Sequence, residues 1–579
     1  FKQKTAYEIS LGLVGSEMCI RDSFKRDYMA YSFNTGTYSL KVTTKSENAQ
    51  RWFDRGLIWA YGFHWEEAVE CFKEALKEDS EFAMGWWGVA YSYGPEYNRM
   101  WHQLDEIELP LILSECFKAS QRALELSRGI TPIEKDLIVA LSHRHPSDAP
   151  PSNFDDWTND YADAMRNVKK KYPEDPDVST LLAEAIMSRT PWKLWDLESG
   201  KPAEGASTLE AKSILEKAIA DVELKGSHPH AGLLHYYIHV MEMSPNPEAA
   251  LRAGDIMRTL VPDCGHLLHM PTHIDFQCGN YNDVVERNSE AIESDKKVIA
   301  RDGNLNLFAG SVIHNIHFKL YGAMFMGSYR SSMEAIKQFD ELITEDLLKI
   351  KSPPMANLYE GYYGLRYHAL IRFGKWQEII DLEAPTDSNL FLVTTSIYRY
   401  ARALAYAALG DVPLARKEQE LFHASCDKVP EERVMFNNKC VDLLKIANAM
   451  LNGEIEYRSG KFEIAFQHLN QAIKNEDNLP YDEPWGWMQP ARHALGALLL
   501  EQGEIEQAEA VYKADLGFDS SIIRARRHPN NVWSLHGLSE CLRRQGKQLE
   551  LNLISQNLDL ALGRTDIPIK ASCFCRLDH

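Results

Sequence analysis

The chain has 579 residues, 45% of them hydrophobic and 25% charged, a globular composition long enough for several domains or one long repeat array. Acidic residues outnumber basic ones by 83 to 63, a formal charge of −20, which excludes a whole-surface nucleic-acid binder and any attraction to an anionic membrane. No apolar run reaches the length of a transmembrane helix, and the ten Cys are scattered, as in reduced thiols of a cytoplasmic protein and unlike a disulfide framework.

Residues 1–23 hold a short apolar core, Leu11 to Gly15, behind Glu8, which makes a poor signal peptide. Their end resembles translated sequencing-adaptor read-through, and the segment is read as a non-native leader, followed by an N-terminal extension over 24–47. Repeats begin at 48 and run to 142. Trp52, Gly56, Trp59, Ala68, Phe72 and Ala75 precede an acidic Glu78-Asp79 turn, and Trp86, 34 residues after Trp52, opens the next copy with Ala90 and Tyr93. These spacings match the tetratricopeptide pattern. Small residues at fixed positions let two antiparallel helices approach closely, and large ones fill the seam between pairs.

Residues 95–112 lengthen the second repeat, with Tyr97 and Asn98 in a loop after its helix, and 143–157, rich in Pro, Ser and Asp, reads as a linker. Helical repeats resume over 158–227, marked by Ala164 and Pro176. His-rich repeats follow over 228–350, marked by Ala250 and Pro262, and C-terminal repeats over 351–565, after the break Lys351-Ser352-Pro353-Pro354. Gly279, Gly327, Gly374, Gly410, Gly460 and Gly503 each stand where one helix turns into the next. A tail over 566–579 carries Cys573-x-Cys575. The expected fold is all-α, an α-solenoid of tetratricopeptide-like helix-turn-helix repeats forming a right-handed superhelix with a concave groove.

Nine of the twenty His lie within residues 228–317: His228, His230, His235, His239, His266, His269, His273, His314 and His317. Taking Pro262 as the final Pro of its repeat makes residue 231 the first position of that repeat and residue 265 the first of the next; Gly279 then falls at the turn. In this register His235, His239 and Glu242 occupy positions 5, 9 and 12, and His266, His269 and His273 occupy 2, 5 and 9 of the following repeat. A register set by Gly327 and Gly374 places His314 and His317 at 2 and 5, and His368 at 9. Steps of three and four residues keep such side chains in one stripe of about 60°. In tetratricopeptide proteins that stripe faces the groove.

Imidazoles and a carboxylate converging on one surface suit a divalent transition metal, zinc first, with copper or iron as alternatives. His235, His239, His269 and His273 are the expected ligands, and His266, His314, His317 and His368 form a second rank. Glu242 is a further ligand or a catalytic general base beside metal-bound water. Pro271 breaks one helical hydrogen bond, and a helix starting only there would turn His266 and His269 elsewhere. The thiols of Cys573 and Cys575 are a secondary ligand pair. The competing expectation is a metal-free groove that binds a peptide or protein partner, or a small anion. No GxxxxGK[ST], HExxH or GxSxG motif occurs, nor a GxGxxG after a strand.

From residue 48 onward the chain resembles a group of tetratricopeptide-repeat proteins carrying segments like His235-Tyr236-Tyr237-Ile238-His239 and His266-Leu267-Leu268-His269-Met270-Pro271-Thr272-His273-Ile274. Ala49 to Leu57 and Trp87-Gly88-Val89-Ala90 are similar to that group as well. Where the group has Asn-His before a paired Glu, this chain has His64-Trp65-Glu66-Glu67, which leaves His64 out of the expected site. The resemblance implies the repeat fold and no particular reaction.

Overall fold

The computed structural model describes residues 31–576; the leader over 1–23, the start of the extension and the last three residues lie outside the described residues. The chain is an all-α protein of successive antiparallel helix pairs. Two β-hairpins of two residues per strand, Trp195–Asp196 with Lys201–Pro202 and Val434–Met435 with Asn438–Lys439, are the sheet among the described residues. None of the described helices is long and apolar enough to cross a membrane.

Two compact units divide the chain, one running to Ile274 together with Glu293–Arg301, the other comprising Asp275–Ile292 and Asp302 onward. The division falls inside the His-rich stretch, at a point the repeat pattern does not mark. In the first unit Glu47–Tyr61 pairs with Trp65–Glu78, which packs on Ala83–Tyr93, and Pro176–Met187 lies between Phe154–Lys171 and Thr208–Leu224. The seam chemistry follows the residue types. The fully buried ring of Phe72 fills the space left by two glycines, and a Cβ on Gly56 or Gly88 would collide with it.

Helix Ala231–Glu242 packs on Thr208–Leu224, its neighbour in sequence, and also on Glu47–Tyr61 from the start of the unit. A solenoid repeat ordinarily touches only its neighbours. This extra contact encloses the stripe that the sequence places in an open groove. The extended segment before residue 47 laces the unit further. Tyr38 donates to Asp177 at 2.5 Å, and the Asn34 amide donates to Asp263 at 2.7 Å. Residues 143–153 form an irregular, mostly exposed connection that is anchored at Arg144 and His145. Arg144 pairs with Glu184 at 2.9 Å with both side chains buried, and His145 contacts the Ser120 hydroxyl at 3.3 Å; the next helix starts at Phe154.

In the second unit the pairs are Phe308–Met326 with Tyr329–Leu342, Leu392–Ala408 with Val412–Cys426, Cys440–Arg458 with Phe462–Asp477, Ala491–Glu501 with Ile505–Leu516, and Val532–Arg544 with Gln548–Leu562. The six glycines expected at helix turns all have positive φ, from 64° at Gly374 to 86° at Gly410. At Gly327 the left-handed residue ends a helix and returns its N–H to the Ala323 and Met324 carbonyls, which a Cβ would strain. The described part of the tail, to Arg576, is docked. Arg372 donates to the Ser572 carbonyl at 2.9 Å, and Arg576 pairs with Glu540 at 2.7 Å. Cys573 and Cys575 are joined to each other as a disulfide, which removes them as a thiolate ligand pair; the other seven cysteines among the described residues are not disulfide-bonded.

Candidate metal centre

Helix Ala231–Glu242 begins at the residue that the repeat register marks as its first position, capped by His230, whose Nδ1 accepts from the Leu233 amide at 3.2 Å. His235, His239 and Glu242 then fall on one face. Helix Gly265–His269 also begins at its predicted first position. Gly265 is required there because a Cβ would collide with the Asp295 carboxylate. Pro271 does interrupt the helix. Thr272–Cys278 starts a new one, with the His273 amide donating to the Met270 carbonyl at 3.2 Å. The break does not scatter the histidines. His269 and His273 bring their Nε2 atoms to 2.8 Å, and His266 Nε2 lies 3.1 Å from His235 Nε2.

Hydrogen-bond partners assign the tautomers. His235 Nδ1 is 2.6 Å from the Tyr61 carbonyl, which can only accept, so Nδ1 carries the proton. Glu242 places one carboxylate oxygen 3.0 Å from His239 Nδ1 and the other 2.7 Å from His273 Nδ1, fixing both rings the same way. His269 Nδ1 is 3.5 Å from Thr272 Oγ1, whose own proton goes to the His269 carbonyl at 2.7 Å. In His235, His239 and His273 Nε2 therefore presents a lone pair. The contact at 2.8 Å then makes His269 Nε2–H the donor to the His273 Nε2 lone pair.

His235, His239 and His266 each offer a ring nitrogen, all within 4.8 Å of one another. His235, His239, His269, His273 and Glu242 expose 1% or less of their surface, while His266 is half-buried at the edge. Burial pushes His235 down to about 3, against the opposing pull of the Tyr61 carbonyl, and His273 adds to the depression. His266 is held well below the ordinary histidine range, by burial first and then by four neighbouring imidazoles. Both rings are neutral at pH 7.

Aromatic rings wall the cluster. Phe63 sits 4.6 Å from His235, 5.2 Å from His266 and 5.7 Å from His239, ring centre to ring centre. Tyr97 lies 4.9 Å and Trp192 6.2 Å from His239. Phe63 has φ 55° and Trp192 φ 61°, left-handed values that are unfavourable for bulky residues and persist only where surrounding structure enforces them. The turn at Phe63 approaches closely because Gly62 has no side chain; a Cβ would collide with Cys264 Sγ. Sequence reasoning missed Phe63, Trp192 and the Tyr61 carbonyl; Tyr97 is in the expected loop and also lines the cluster. The Asn98 backbone N–H donates to Glu96 Oε2 at 2.6 Å, and His64 caps helix Trp65–Glu78, accepting from the Glu67 backbone N–H at 3.4 Å.

The three remaining second-rank histidines belong to the second unit. There, His314 packs edge-on to Phe318 at 5.1 Å, His317 Nε2 lies 3.1 Å from Met488 Sδ, and His368 is edge-on to Trp487 at 4.9 Å.

No family model and no curated protein matches the chain. Among solved structures, it is similar to yeast Tom70, at 13% identity and a TM-score of 0.27, over 87% of this chain and 97% of that one. IFIT1, in a monomeric mutant with Gppp-AAAA, gives 13% identity and a TM-score of 0.26, over 90% and 91% of the two chains. Naa15/Naa10 bound to HypK-THB gives 14% and 0.20, over 89% and 70%. These likenesses carry none of the reading below.

Proposed function

We propose that this helical-repeat protein binds a transition metal ion, zinc first, at His235, His239 and His266, with His269 and His273 beside them. The observation that supports it most is the tautomer pattern. Three separate acceptors, the Tyr61 carbonyl and the two oxygens of Glu242, hold Nδ1 protons on His235, His239 and His273 and turn their Nε2 lone pairs inward. Metal-ligating histidines are ordinarily held in this way by carbonyls and carboxylates behind them. An imidazole set with one carboxylate behind it suits zinc, with copper and iron next. Rings already fixed by packing lose little freedom when the ion binds.

On this reading Glu242 orients ligands. Both of its oxygens already accept from imidazoles, which leaves it poorly placed as a general base. The burial of the cluster favours a closed site over one with a coordination position open to substrate. It also argues against a peptide lying along the surface and held by His235, His239, His269 and His273, which expose 1% or less; His266 alone stands at the edge.

Cobalt(II), which absorbs in the visible when bound by nitrogen ligands, tests the proposal. Titrating the full chain is expected to give saturable absorption at about one equivalent, lost in His235→Ala/His239→Ala with helicity retained. Absence of saturable absorption in the unaltered chain, or its survival in the variant, overturns the proposal.

A further inference from the structure

The second unit contains a pairing of a different chemical kind. His317, on helix Phe308–Met326, points Nε2 at Met488 Sδ, 3.1 Å away, and both side chains are buried, at 2% and 1% exposure. Met488 lies in the segment between helices Phe462–Asp477 and Ala491–Glu501, and Gln489 ties that segment to helix Leu365–Arg372 by donating to the His368 carbonyl at 2.8 Å. His368, on that helix, is buried against Trp487, and its Nδ1 has no hydrogen-bond partner among the described residues; neither has Trp487 Nε1. A buried ring nitrogen without a partner costs free energy that a ligand would recover.

The donor types select the ligand. A thioether is a soft, uncharged donor that binds hard divalent ions poorly and cuprous ion well, and imidazole suits copper in either state. A monovalent ion is also cheaper to bury among uncharged ligands than a divalent one. The indole beside His368 offers a π face, which attracts a cation.

We propose that His317, Met488 and His368 form a cuprous-ion site, independent of the His235/His239/His266 centre. The alternative within the same geometry is a plain N–H···S hydrogen bond between His317 and Met488, and the two make different predictions.

The test is anaerobic titration of the full chain with Cu(I) against a chromophoric Cu(I) chelator. It is done in the His235→Ala/His239→Ala background, so that the first centre does not compete and its fate does not affect the result. Tight uptake of about one equivalent is expected, falling at least about tenfold in affinity in Met488→Leu, which keeps volume and removes sulfur. His317→Gln should weaken uptake similarly, and copper X-ray absorption should show a sulfur neighbour that Met488→Leu removes. Free cysteines binding the ion would leave uptake and the sulfur signal unchanged in Met488→Leu, and that result overturns the proposal, as does an absence of tight uptake in the background chain.

Discussion

Glu242→Gln perturbs the centre at the point where its geometry is most specific. The carboxylate accepts from His239 Nδ1 at 3.0 Å and from His273 Nδ1 at 2.7 Å. Glutamine keeps the shape but offers one accepting oxygen and one donating NH2. One of the two imidazoles would then face a donor, accept at Nδ1 and carry its proton on Nε2, where it cannot bind a metal. Losing such a partner behind a ligand costs about 10–100-fold in metal affinity, which is about 1.4–2.8 kcal/mol. Competition for zinc against a chromophoric chelator at neutral pH measures this directly. Glu242→Asp, which keeps two acceptors at shorter reach, is expected to fall between the two. Affinity of the Gln variant within about twofold of the unaltered chain, with an unchanged cobalt spectrum, would refute the tautomer argument.

Three further outcomes follow from the same structure. At Phe63, where φ is 55°, Gly relieves a left-handed strain that Ala retains, so Phe63→Gly should be more stable to urea than Phe63→Ala by about 1 kcal/mol; equal stability or the reverse contradicts the strain. Burial, then the adjacent Arg144, hold His145 well below its ordinary range, so below pH 6.5 the unfolded chain takes up a proton that the folded chain refuses. The His145 contribution is therefore intact above that pH and lost as pH falls, at up to about 1.4 kcal/mol per pH interval of one, and urea midpoints at pH 5 and 7 should diverge less in His145→Gln than in the unaltered chain. Arg144→Met leaves Glu184 buried without its cation, which should cost the first unit about 3–5 kcal/mol in thermal or urea unfolding, largely recovered in Arg144→Met/Glu184→Gln; a loss under about 1 kcal/mol in the single variant contradicts it.

Much of the scaffold is legible in the residues. Pro262 alone sets a register whose first positions, Ala231 and Gly265, are the residues where two helices begin. The turn glycines carry the positive φ that their placement demands. Within that register the one-period spacing of His235 from His269 and of His239 from His273 anticipates the cluster. What the pattern cannot express is contact between distant repeats. Tyr61 reaches His235 across 174 positions, and the packing of Ala231–Glu242 on Glu47–Tyr61 turns a groove stripe into an enclosed one. Left-handed aromatics such as Phe63 and Trp192 have no local signature either, since strain of this kind is imposed by tertiary packing. Two irregular segments are anchored by contacts of the same long-range kind. Buried Arg144 ties the Pro-rich stretch after Ser142 to Glu184, and buried Arg372 ties the tail at Ser572.

The metal content of the chain tests the central claim most directly. Elemental analysis of full-length protein from zinc-replete expression, beside His239→Ala/His273→Ala prepared identically, should find about one zinc per chain that the variant lacks. No zinc, copper or iron in the unaltered chain, or equal amounts in both, would contradict the account.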